Sequence, residues 1–253
     1  MKAAIAVANS KGGVGKTTTA VHLADALSRK SKVLLIDIDV QANASSIFLE
    51  SEIPLERTVY AALKEKRPLA QLVHGTRNAN LDIVPATIHL AEIDSLISGA
   101  IDGFFRLSES MTMQPLPHDF VIIDCPPNLG MITVNAFVAS THVIVPLQTA
   151  KFSLDGLAAL SSTLKAVQTR YNTKLKTLGG VLTMYNPRTA ITHAMMEPIQ
   201  EYISIFETKI SRLVAVEEAF LMKQTVFEYE PSNRVAQEYL ALTEEVLRGI
   251  EKG

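Results

Sequence analysis

The chain has 253 residues, 47% hydrophobic and 20% charged, with 24 Lys and Arg against 26 Asp and Glu. That balance fits one α/β domain or two small ones and excludes a polycation. The single cysteine, Cys125, excludes an intramolecular disulfide and any multi-cysteine metal site within one chain. No run approaches the ~18 apolar residues of a membrane span, and the apolar start is shorter than a signal-peptide core, so a cytoplasmic protein is expected.

Ala3 to Ala8 is an apolar run that predicts a buried strand. Ser10-Lys11-Gly12-Gly13-Val14-Gly15-Lys16-Thr17-Thr18 follows, and Ala20, Leu23, Ala24 and Leu27 then mark one face of a helix over Thr17 to Ser28. Strand, glycine-rich loop and helix form the context of a phosphate-binding loop. Its N–H groups, from Lys11 through Thr18, would turn inward on an anion at the positive end of the helix. Lys16 would reach the terminal phosphates of a nucleotide, and the Thr17 hydroxyl would ligate Mg²⁺. Ser10 stands where the strict pattern has its first glycine, and an extra lysine, Lys11, follows it. The alternative is a glycine-rich turn with incidental lysines.

Val33 to Ile36 predicts a second buried strand, ending in Asp37-Ile38-Asp39-Val40-Gln41. Carboxylates at i and i+2 leave an extended segment from one face, at the strand ends where open α/β sheets bind ligands. Residues 44–118 carry less signal. Val59 to Lys64 and His89 to Ile97 read as helices, Leu81 to Val84 as a strand, and Pro115, Pro117 and His118 as a turn. Phe120 to Ile123 then runs into Asp124-Cys125-Pro126-Pro127, a strand whose terminal carboxylate would hold Mg²⁺ directly or through water. Cys125 reads as a small buried hydrophobe. Further strands are expected at Val143 to Leu147 and Leu178 to Met184, with a helix from about Ser153 to Tyr171 between them. Ala236, Tyr239, Leu240, Thr243, Leu247 and Ile250 line one face of a C-terminal helix, opposite Glu238, Glu244, Glu245 and Glu251.

The loop KGGVGKTT with its second lysine resembles the deviant Walker A motif of the ParA/MinD family of ATPases, and the D-C-P-P-x-L-G run from Asp124 is similar to the same family. The resemblance implies a single α/β domain of the P-loop NTPase class over residues 1–253. Its mostly parallel, twisted sheet would be flanked by helices on both faces, with no N-terminal helix-turn-helix domain. It implies ATP and Mg²⁺ as cofactors and a homodimer closed around ATP. Lys11 would reach the partner's nucleotide, and Lys11, Lys16 and Asp39 would act in catalysis, Asp39 by placing the attacking water. Thr17, Asp37 and Asp124 would form the metal site, the segment from Asp37 to Gln41 the first switch, and Pro126 to Ile132 the second switch. Met184, Asn186 and Arg212 become candidates for the nucleotide base. Several positions depart from the family's usual residues: Val40 and Ser211 stand for proline, Leu213 for asparagine, and Ala150 and Lys151 for an acid and a tyrosine.

Charge distribution separates the functions this family hosts. From Gly156 to Met196 there are Lys165, Arg170, Lys174, Lys176 and Arg188 and no Asp or Glu, whereas residues 197–253 hold 11 acids and 6 basic residues. The stretch reads as non-specific contact with double-stranded DNA, or as a solvated face. The acidic tail lacks the basic amphipathic helix of a membrane-surface anchor. The expectation is an ATP-dependent, nucleoid-associated switch. It would segregate plasmid or chromosomal DNA with a ParB-like partner, or position a protein cargo through an adaptor. A membrane-bound MinD-like ATPase and a scaffold that holds ATP without turnover are the competing readings.

Overall fold

The computed structural model describes residues 1–151 and 153–252. Strands β1 (Ala3–Val7), β2 (Val33–Asp37), β3 (His74–Gly75), β4 (Leu81–Val84), β5 (Phe120–Asp124), β6 (His142–Leu147) and β7 (Lys176–Leu182) form one sheet in the order β3-β4-β2-β5-β1-β6-β7. Every pairing is parallel except β3 with β4. The helices are α1 (Lys16–Ser28), α2 (Asn43–Phe48), α3 (Val59–Glu65), α4 (Ile93–Ile97), α5 (Arg106–Thr112) and α6 (Met131–Ala139). They continue with α7 (Leu154–Arg170), α8 (Ala190–Gln200), α9 (Val214–Leu221), α10 (Val226–Tyr229) and α11 (Arg234–Lys252).

Strand residues alternate between two cores, as the period of two requires. Ala4, Ala6, Leu34, Ile36, Val121 and Ile123 meet α3 to α7 on one face. Ala3, Ile5, Val7, Val33, Leu35 and Ile122 meet α1, α2, α10 and α11 on the other. Both faces are therefore covered, and because neither side sees water the central strands are apolar up to the aspartates that close β2 and β5. The outer edge of β7 is covered in turn. Gly180 N–H donates to Ser204 O at 2.8 Å, and Ile210 N–H donates to Leu182 O at 2.8 Å, so residues 204–210 run along it.

The expected strands and the long helices stand where the patterns put them, except that β7 starts two residues early and ends at Leu182, before Met184 turns to a left-handed backbone. The stretch His89 to Ile97 is split into a 3₁₀ turn over Ile88–Glu92 and then α4. Residues 44–118 also hold α2 and α5, which the sequence did not signal. The C-terminal helix is rotated from its expected face. Val235, Leu242 and Val246 join Ala236, Tyr239 and Thr243 in the interior, while Leu240, Leu247 and Ile250 are half-buried at its margin. Two acids of the expected solvent face bond to the chain. Glu245 accepts the N–H groups of Glu207 and Thr208, and Glu238 accepts two donors from Ser211.

Candidate nucleotide site

The register aligns three strand ends. Val7 of β1 and Asp37 of β2 both pair with Asp124 of β5, so the loops after them emerge at one level. The glycine-rich loop leaves β1 there. Gly13 and Gly15 take left-handed backbone angles, with φ of 67° and 84°. Gly15 precedes the first turn of α1, and a β-carbon there would meet only ordinary contact with Thr183, so the backbone conformation demands the glycine. Bonds to the ends of β6 and β7 pin the loop. Thr183 Oγ1 donates to Val14 O at 2.8 Å, Asn9 Nδ2 donates to Pro146 O at 2.7 Å, and Asn9 Oδ1 accepts from Lys11 N–H at 3.0 Å.

Lys16 is buried, and its ammonium donates to Lys11 O at 2.8 Å, closing the loop on itself. Burial lowers its pKa, opposed by the carboxylates of Asp124 and Asp39. Lys11 is exposed, at the loop's outer side near Gly156 at the start of α7. It therefore stands apart from the cradle that Lys16 closes.

Asp37, Asp39 and Asp124 converge on the other side of Lys16. Asp37 is fully engaged. Its Oδ2 accepts from Ser45 N–H at 2.8 Å and from Ser45 Oγ at 2.7 Å, and its Oδ1 accepts from Asp39 N–H at 3.1 Å. Asp39 Oδ1 accepts from Gln41 N–H at 3.0 Å, which curls the first switch into a turn that includes Ala42 at φ 50°. Val40, in the family's proline position, needs no fixed φ from proline because these carboxylate bonds shape the turn. Asp124 differs: both its oxygens are wholly buried and have no hydrogen-bond partner of regular geometry. Burial raises its pKa well above the carboxylate range, the neighbouring Asp37 adds to this, and the Thr17 hydroxyl and Lys16 oppose it. Burial likewise raises Asp37 and pushes the Cys125 thiol up, which leaves that thiol inert beside Asp124.

An orphaned, fully buried carboxylate beside a threonine hydroxyl is costly unless a cation completes it. Mg²⁺ fits this place: it takes one or two carboxylates, keeps waters, and completes its octahedron with substrate phosphates. Among the described residues no group of three or more His, Cys, Asp or Glu gathers to hold a metal unaided.

On the opposite side of the loop lies a cleft of about 580 Å³. Gly15, Thr18, Thr183, Met184, Ile210 to Leu213, Phe220 and Tyr239 are among its walls, a mixture of apolar surface and a few polar groups that suits a flat aromatic base. Met184 enters it from a left-handed backbone at φ 49°, and Arg212 lines it near Glu217, 3.8 Å away. Asn186 does not line it: its Oδ1 accepts from Arg188 N–H at 3.0 Å, shaping the exposed turn after β7. Tyr239, Phe220 and the α9 residues were not foreseen, because apolar residues at helical spacing read as core. The side chain of Lys151, in the family's tyrosine position, lies outside the described residues.

The five cations proposed for DNA do not form one patch. All are exposed, but Arg170, Lys174 and Lys176 lie at the entry to β7 and Arg188 beyond its exit. The seven residues of β7 separate the two groups by roughly 20 Å along the strand. Lys165 sits between them on α7.

A family model described as an AAA domain matches residues 2–177. The chain is 38% identical over 245 residues to the sporulation initiation inhibitor protein Soj of Bacillus subtilis, covering 96% of this chain and 97% of Soj. It is 36% identical over 247 residues to the chromosome partitioning protein ParA of Myxococcus xanthus, covering 96% and 87%. A crystal structure of cobyrinic acid a,c-diamide synthase from Mycobacterium smegmatis, with bound ADP and magnesium, superposes with a TM-score of 0.84 at 27% identity, over 97% of this chain and 94% of that one. A glycine-rich loop closed on a buried lysine, a buried carboxylate beside it, and 36–38% identity to Soj and ParA over nearly the whole chain lead to one assignment: the chain belongs to the ParA/Soj-type family of partition ATPases.

Proposed function

We propose that the protein is an ATP-dependent switch that dimerises with ATP, binds DNA non-specifically and hydrolyses ATP slowly to segregate DNA. The observation that carries this is a glycine-rich loop closed on the buried Lys16 next to the buried Asp124, in a chain 36–38% identical to Soj and ParA over nearly its whole length. The name carried by the mycobacterial structure points elsewhere, to amide synthesis, but rests on 27% identity.

In this reading the loop from Lys11 to Thr18 cradles the phosphates and Lys16 exchanges the Lys11 carbonyl for phosphate oxygens. Thr17 and Asp124 hold Mg²⁺, which neutralises charge on the phosphates. Asp37 keeps the first switch in place through Ser45 and Asp39, and Asp39 orients the attacking water. The Lys11 side chain, on the outer side of its own loop, is placed to serve the site of a second copy. The base lies in the cleft between Met184 and Arg212. The partner is a ParB-like protein or a cargo adaptor, and the place of action is the nucleoid in the cytoplasm. Among the described residues no helix is long and apolar enough to cross a membrane.

Light scattering with ATP and Mg²⁺, followed by binding to random-sequence duplex and to anionic liposomes, tests this. A dimer that binds duplex is the expected result. A monomer at saturating ATP, or liposome binding without duplex binding, would overturn it.

A further inference from the structure

The cleft assigned to the base has one wall that no sheet supports on both sides. Residues 210–213 hang from the exit of β7 by two bonds: Ile210 N–H to Leu182 O, and Tyr185 N–H to Ile210 O, both 2.8 Å. Their other side faces α11, and there a single carboxylate holds them. Ser211 N–H donates to Glu238 Oε2 at 2.7 Å, and Ser211 Oγ donates to Glu238 Oε1 at 2.7 Å. Arg234, one turn earlier on α11, donates from Nε to the same Oε1 at 2.8 Å. The Glu238 side chain is only 14% exposed although it is charged. Three donors, one of them cationic, offset the cost of burying it.

The next residue of α11 enters the cleft itself. Tyr239 lines its floor and stacks on His22, with centroids 4.6 Å apart and planes 11° apart. His22 is held in turn between Thr18 O, 2.7 Å from Nδ1, and Val226 N–H, 2.9 Å from Nε2. Adjacent residues of α11 thus peg the wall and form the floor, while the loop around the phosphates is pinned by Asn9 and Thr183 instead.

We propose that Ser211, Glu238 and Arg234 form a positioning clamp that holds residues 210–213 against the nucleoside, so that α11 sets how strongly the site prefers a nucleotide to a bare polyphosphate. The proposal rests on the base occupying this cleft. The clamp acts through the wall and touches no phosphate. Losing it leaves the Ser211 N–H unpaired and lets the wall move, which weakens binding of the base alone.

Equilibrium titration of the full chain with ADP and with pyrophosphate, each with Mg²⁺, separates the two halves of the ligand without turnover. Glu238→Ala is expected to raise the Kd for ADP about tenfold and to leave that for pyrophosphate within about twofold, and Ser211→Ala, which keeps the N–H, to raise the ADP value about threefold. Unchanged ADP affinity in Glu238→Ala overturns the clamp. So does a parallel loss for both ligands with a lowered thermal midpoint in both variants, which is the signature of a merely structural bond. Wild-type protein that binds ADP no more tightly than pyrophosphate instead removes the base from the cleft, and the clamp with it.

Discussion

The two ends of the proposed nucleotide site, one for phosphate and one for the base, are built by different means. The phosphate end is one continuous loop between β1 and α1, made of backbone groups, with Asp37 and Asp124 added by strands whose register fixes them side by side. The base end is assembled from Gly15 and Thr18, Thr183 and Met184, Ile210 to Leu213, α9 and Tyr239. The AAA-domain match ends at residue 177, before most of those walls begin. A site made of backbone needs particular residues at fixed short spacing. A site made of side chains from separate segments can exchange one support for another, as Ser211 does by giving Glu238 the N–H that a proline would lack.

The largest effects should therefore fall at the phosphate end. Lys16→Ala is expected to weaken ATP binding about 1000-fold, the equivalent of two charge-assisted hydrogen bonds to phosphate, as read by equilibrium titration. Affinity equal to wild type would dissolve the contrast between the two ends. Asp39→Ala should keep ATP and Mg²⁺ and lower turnover about 100-fold, the scale of a group that orients a reacting water. Single-turnover hydrolysis measures it, and an unchanged rate would take Asp39 out of the mechanism.

The same contrast explains what the sequence revealed. The apolar runs at β1, β2, β5 and β6 could be read because strands buried on both faces stay apolar along their middles, with Asp37 and Asp124 only at the exits of β2 and β5. Lys16, Thr17 and Asp124 could be read because a phosphate cradle fixes residue types at fixed offsets. The roles of Ser45 and Glu238 could not. Each is an ordinary polar residue whose partner lies elsewhere: Asp37 is 8 residues from Ser45, and Ser211 is 27 from Glu238. The C-terminal helix was read one position off because Leu240 and Leu247 match the helical period as well as Leu242 and Val246 do. The basic stretch from Lys165 to Arg188 looked continuous in sequence, yet β7 carries its members to opposite ends of the sheet.

Two effects of intermediate size sharpen the comparison. His22 joins α1 to α10 and α11 as a buried, neutral ring, and burial lowers its pKa to about 4, with Glu228 a minor opposing charge. The folded chain then binds fewer protons than the unfolded chain between about pH 4 and the ordinary 6.5, so stability is lost as pH falls through that window. Urea unfolding should show about 2 kcal/mol less stability at pH 5 than at pH 7.5 from this group. His22→Gln should remove that difference, and a variant that keeps it assigns the pH dependence to other groups. Gly13→Ala strains a residue at φ 67°, at a cost of about 1–2 kcal/mol. ADP and pyrophosphate should weaken together by roughly tenfold, in contrast to the base-selective loss expected of Glu238→Ala. A base-selective loss in Gly13→Ala would erase the division between the ends.

The smallest expected effect concerns DNA, and it asks which end of the sheet duplex meets. Arg188 stands on the strand-exit side, with the nucleotide, whereas Arg170, Lys174 and Lys176 stand on the opposite side. The proposed ATP dimer, closed across the strand-exit edge, would bring two copies of Arg188 towards one two-fold axis and leave the other three cations remote from it. Arg188→Glu should then weaken binding to random-sequence duplex a few-fold at about 0.1 M salt and flatten the log–log salt dependence by about 0.9 for each phosphate no longer neutralised. All sequences should be affected alike, because phosphate contacts carry no base information. Lys174→Glu should change the slope less. The reverse order, with Lys174→Glu the stronger variant, would move the duplex to the far end of the sheet, some 20 Å along β7 from the nucleotide edge. ATP control of DNA binding would then have to pass through the sheet rather than act at the edge where the nucleotide sits.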